Sequence, residues 1–68
     1  MIEHIQKIYD ITKFPYFRVG TLKTDGVFDK DIANKLLQQG KIRKREGMHG
    51  TLIEIVEEKL VNGKLILD

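Results

Sequence analysis

No cysteine occurs among the 68 residues, and in so short a chain that absence is the tightest constraint on folding. A domain of this size buries only roughly 60% of the surface its unfolded chain exposes, leaving a stability margin of ~3–5 kcal/mol. Small domains often widen that margin with disulfides or a thiolate metal site, and neither is open here. The core must come from apolar side chains alone, or be completed by a second subunit. With 41% hydrophobic and 32% charged residues, the balance is that of a globular chain rather than a disordered one. One domain covering residues 1–68 is expected.

Periodicity predicts the α+β class. Ile2, Ile5, Ile8 and Tyr9 recur at three- and four-residue spacing, which suits one stripe of a short N-terminal helix. Pro15 restricts the residue before it to extended backbone, so that helix ends ahead of it. Tyr16 to Lys23 is strand-like, Asp25-Gly26 carries turn chemistry and Val27-Phe28 suits a short return strand; together they predict a β-hairpin over 16–28. Asp29 is a good N-cap, Ile32, Ala33, Leu36 and Leu37 form an apolar stripe, and Gly40 sits where a left-handed residue closes a helix. A helix over 30–39 follows. Thr51 to Val61 is rich in β-branched residues and precedes Asn62-Gly63, a strong two-residue turn signal, so a C-terminal β-hairpin is expected over 51–67. That pairing sets Leu60, Leu65 and Leu67 on one face and Ile53, Ile55, Val61 and Ile66 on the other. A hairpin apolar on both sides implies either a bulge near Glu57-Glu58 that switches faces, or a partner on the second face. The second is the favoured expectation, with Ile53, Ile55, Val61 and Ile66 meeting a protein partner or a second copy in a homodimer.

Charge is unevenly spread. Residues 13–45 carry nine bases against three acids, whereas residues 46–68 carry two bases against five acids. The basic excess peaks at Lys41-Ile42-Arg43-Lys44-Arg45, which reads as a connector after the central helix. Such a run neutralises phosphates and releases counterions, the sequence-independent part of nucleic-acid affinity. Arg18 and Lys23, with Tyr16 and Phe17 nearby, extend the footprint with stacking surface. The leading expectation is a small cytoplasmic nucleic-acid-binding, regulatory protein using Arg18, Lys41, Arg43, Lys44 and Arg45. DNA and RNA are both open at this point. The alternative is a protein–protein interaction module, an inhibitor or an assembly adaptor, binding through the apolar terminal hairpin.

Catalysis has little raw material. Serine and cysteine are absent and the only imidazoles, His4 and His49, lie far apart in sequence, so no nucleophile–base pair is visible and no enzyme is expected. No metal-ligand spacing, phosphate-binding loop or cofactor motif occurs, and Gly47-Met48-His49-Gly50 matches a bare G-x-x-G only by chance. No apolar stretch approaches the ~18 residues that span a bilayer. The mixed-charge segment Met1–Lys7 lacks the apolar region of a signal peptide.

Asp25-Gly26-Val27, and Leu52-Ile53-Glu54-Ile55 through Gly63-Lys64-Leu65-Ile66-Leu67, resemble the pattern of the AbrB-type transition-state regulators. In that family a glycine-containing turn precedes a short helix and a terminal hairpin follows. The resemblance implies a swapped-hairpin fold and an intertwined DNA-binding dimer. This chain departs from the pattern in lacking the proline after the turn and in its longer connector.

Overall fold

The computed structural model describes all 68 residues. The α+β class is observed as three helices against one antiparallel three-stranded sheet. The elements run α1 (Ile2–Thr12), β1 (Tyr16–Arg18), α2 (Val19–Thr24), α3 (Lys30–Gln38), β2 (Ile42–Gly47) and β3 (Gly50–Ile55), followed by a 3-10 turn at Glu57–Lys59. The sheet order is β1-β3-β2. The N-terminal helix is not the short element expected, since its eleven residues make it the longest helix of the chain.

The expected hairpin over 16–28 is not formed. Only Tyr16–Arg18 is strand, and Val19–Thr24 turns directly into α2. The strand preference of Val19, Thr21 and Thr24 is overridden by Leu22, which is 2% exposed and lies among the core side chains. The Asp25-Gly26 signal is real but ends a helix instead of joining two strands. Gly26 adopts φ +73, Val27 N–H donates to Leu22 O at 3.0 Å and Gly26 N–H donates to Lys23 O at 3.0 Å. That pair of bonds is a Schellman motif, in which a left-handed residue satisfies the last helical carbonyls.

The same device closes α3. Gly40 has φ +71, and Lys41 N–H and Gly40 N–H donate to Leu36 O and Leu37 O at 2.9 and 3.1 Å. At the other end Asp29 Oδ1 accepts from the amides of Asp31 and Ile32 at 3.0 and 3.2 Å. The helix runs Lys30–Gln38, with Gln39 as its C-cap. Local capping chemistry sets both of its ends.

The hairpin expected over 51–67 has a different partner. β3 pairs with β2, from Ile42 opposite Ile55 to Gly47 opposite Gly50, so the basic run is a strand rather than a connector. Asn62-Gly63 does turn the chain, with reciprocal Val61–Lys64 backbone bonds of 2.9 and 3.0 Å, but that bridge stands alone. Beyond it the chain is held by α1: Gln6 Oε1 accepts from Leu65 N–H at 2.7 Å and Gln6 Nε2 donates to Gly63 O at 3.0 Å. Leu65 is thereby drawn into the core, at 5% exposure. The swapped-hairpin arrangement is likewise replaced by strands that close on each other within one chain.

The core gathers Ile5 and Tyr9 of α1, Leu22 of α2, Leu36 of α3, the sheet residues Phe17, Ile42, Ile53 and Ile55, and Leu65. The helices therefore cover one face of the sheet and leave the other bare. No helix is long and apolar enough to cross a membrane.

Tyr9 adds a polar tie at the core edge, its O–H donating to Glu57 Oε2 at 2.6 Å. That hydrogen bond, reinforced by burial and by the Glu57 charge, raises the phenol above its ordinary pKa of 10.0. Because the folded pKa is the higher one, the tie contributes fully below the unfolded value and is lost as pH rises through the folded value. The gap in thermal midpoint between wild type and Tyr9→Phe should stay constant up to about pH 10 and close above it; a pH series of melting curves checks this.

Candidate nucleic-acid interface

Two short helices in succession, α2 and α3, are joined by the Gly26 turn and followed by the β2–β3 hairpin. The second of them, α3, keeps a polar face towards solvent. On α3 that face carries Lys30, Asp31, Asn34, Lys35 and Gln38, all exposed, while Ala33 and Leu36 are buried. Lys30 and Asn34 are four positions apart, so they share one side of the helix.

Register decides where the basic strand aims its charges, because alternate residues point to opposite faces. Ile42, Lys44 and Glu46 share the inner face with Ile55, Ile53 and Thr51. Arg43 and Arg45 lie on the outer face, opposite Glu54 and Leu52. Tyr16 and Arg18 of β1 share that outer face, paired to the same two β3 residues.

The five cations expected to act together are therefore divided. Lys41 is withdrawn altogether: its side chain is only 9% exposed and its ammonium sits 2.8 Å from Asp68 Oδ1, with a second bond to the Ile66 carbonyl. Arg45 Nε donates to Glu54 Oε1 at 2.7 Å, and that hydrogen bond and its charge raise the guanidinium pKa further. Arg18 and Arg43 are exposed on the outer face. Only Lys44 points inward, with Glu46 at 3.9 Å.

Inward it meets a cleft of about 290 Å³ between α2, α3 and the hairpin, lined by Lys23, Lys30 and Asn34 as well as by Val19, Phe28 and Leu37. The ammonium of Lys23 stands 5.5 Å from the centroid of the Phe28 ring, a cation–π contact that steadies it at the rim. Three cations from three separate elements and one amide thus converge on one side of the molecule. Lys30 and Asn34 were missed as site residues in the sequence, although their shared helical side was readable there; the inward aim of Lys44 was not.

The remaining expected residues fall elsewhere. Ile53 and Ile55 are 4% and 2% exposed and belong to the core, so they offer no partner surface, whereas Val61 and Ile66 are 52% and 44% exposed. His4 Nε2 lies 3.7 Å from Asp25 Oδ2, and His49 sits with the 96%-exposed Met48 at the hairpin tip. Comparison of the chain with protein-family models, with curated proteins and with solved structures finds no match.

Proposed function

We propose that this chain is a duplex DNA-binding domain of regulatory kind, which presents α3 to the major groove and lays the β2–β3 hairpin along the adjoining backbone. The observation that carries the reading is the convergence of Lys23, Lys30 and Lys44 with Asn34 on the α3–hairpin cleft. Of the three lysines, only Lys44 has a carboxylate within 4 Å, so their charge is available to phosphates. A B-form major groove roughly 12 Å wide admits a helix, whereas the A-form groove of duplex RNA is too deep and narrow. In this arrangement the lysines hold phosphates and set orientation, and Asn34 reads a base edge, where a side-chain amide suits the N6/N7 pair of adenine. Occupancy of a site, rather than chemistry performed on it, is then the output.

Fluorescence anisotropy with a mixed-sequence DNA duplex over a range of salt tests the reading. Affinity should fall with salt at a logarithmic slope of about −3, close to 0.9 per neutralised phosphate, and duplex RNA of the same sequence should bind more weakly. Absence of binding at low salt, or binding indifferent to salt, would overturn it. Lys41→Met makes an internal control. Its charge is spent on Asp68, so duplex affinity should stay within about twofold of wild type, even though the residue belongs to the basic run. Asn34→Ala should instead cost ~1–3 kcal/mol on a selected target site and relax preference at one base pair.

A further inference from the structure

We propose that the bare outer face of the sheet is a stacking platform for single-stranded DNA, separate from the duplex site in the cleft. The strand register sets Arg18, Leu52 and Arg45 in one row across this face and Tyr16, Glu54 and Arg43 in the next. Neighbouring strands lie about 4.8 Å apart, so the six side chains share a patch about 10 Å wide. Phe14 joins it from the segment before β1, lining a shallow depression of about 370 Å³ with Tyr16, Arg18 and Leu52. Its ring is 60% exposed and meets Tyr16 edge-on with centroids 5.4 Å apart. Phe17 is 7% exposed and belongs to the core, so Phe14 and Tyr16 make the stacking surface.

The charge of this patch is positive and uncommitted. Three arginines share it with one acid, Glu54. Arg45 occupies that acid at 2.7 Å, and neither Arg18 nor Arg43 has a carboxylate within 4.0 Å. The complementary ligand is therefore anionic and carries flat apolar faces. An acidic peptide matches the charge, but Leu52 is the one aliphatic side chain among the residues of the depression. Bases on a phosphate backbone match both features, and guanidinium groups serve both, binding phosphate bidentately and stacking on flat rings. A duplex hides its base faces in its own stack, so only a single strand can lay a base on Phe14. Neither contact needs a ribose 2′-hydroxyl, and the carboxylate that could accept from one is held by Arg45, so DNA is the occupant. The sheet stands between this face and the Lys23–Lys30–Lys44 cleft, and the proposal does not depend on duplex binding there.

Fluorescence anisotropy of the full chain with labelled oligothymidylate of about 12 nucleotides, starting at about 50 mM salt, tests the proposal. Affinity should fall with salt at a logarithmic slope of about −1.4, or about 0.7 for each of two phosphates. Phe14→Ala should weaken binding about tenfold, and Phe14→Tyr should retain it. Arg18→Glu and Arg43→Glu should each cost about tenfold as well. All three side chains are exposed, so far-UV circular dichroism should remain that of wild type. The two surfaces fail separately: Phe14→Ala should leave duplex affinity within about twofold of wild type, and Lys30→Glu with Lys44→Glu should leave oligothymidylate affinity within about threefold. Oligouridylate of the same length should bind no tighter than oligothymidylate, and poly-glutamate of equal charge should compete about tenfold less well. Absence of binding at low salt, an affinity indifferent to Phe14→Ala, a tighter complex with oligouridylate, or equal competition by poly-glutamate overturns the proposal.

Discussion

Ile55→Asp should leave no folded protein at 25 °C. Ile55 is 2% exposed at the centre of the core, paired across the strands with Ile42. Removing a buried aliphatic side chain of this size costs ~2–5 kcal/mol. The substitution also buries a carboxylate, and the core around the position is built of apolar side chains. Leaving such a group unpaired adds a further penalty of at least ~1–3 kcal/mol. The sum meets or exceeds the ~3–5 kcal/mol available to a chain this small. Val61→Asp introduces the same carboxylate at a position that is 52% exposed, and it should shift the urea midpoint little. Urea titrations of both variants check the pair. An Ile55→Asp protein with the wild-type midpoint would mean that β3 does not face the core as described.

Reversing two charges in the cleft should weaken duplex binding about 100-fold at low salt. Lys30→Glu removes a cation from α3 and Lys44→Glu removes one from the hairpin, and both line the same cleft. Each substitution deletes a phosphate contact and places a carboxylate against the backbone, so a loss of ~1–2 kcal/mol per site is expected. The salt slope should shrink by about 2, since two fewer counterions are released. Lys7→Glu with Lys59→Glu makes the same change in net charge on α1 and the 3-10 turn, away from the cleft. That pair should reduce affinity only slightly. Equal losses in the two double variants would show that net charge alone attracts the duplex and that α3 has no special place in the complex.

The fold was readable wherever the deciding interaction lies within a few residues of the chain. Asp29 and Gly40 bracket α3 by hydrogen bonds to their immediate neighbours, and the helix lies within one residue of the sequence reading. Gly26 announces a positive φ in the sequence, and the structure has it. A left-handed glycine, however, serves a hairpin and a helix terminus equally well. Asn62-Gly63 behaves in the same way. Its turn forms, but strand pairing goes no further, because β3 has already found β2 and Leu65 is drawn towards α1.

The candidate site was readable as composition but not as a surface. A count of charges finds the excess between residues 13 and 45, yet the strand register sends Arg43 and Arg45 one way and Lys44 the other. A shift of one residue would exchange them. Nor does anything local to Lys41 indicate that Asp68, 27 positions on, would claim its ammonium.

Capping chemistry, turn positions and the uneven distribution of charge are properties of short stretches, and the sequence alone determined them. Which strand pairs with which, which cations share a face and which of them is buried were decided only by the tertiary structure. The physical reason is burial. Leu22, Ile42, Ile53, Ile55 and Leu65 leave water only by meeting one another, and that requirement outweighs the local preference of every segment it crosses.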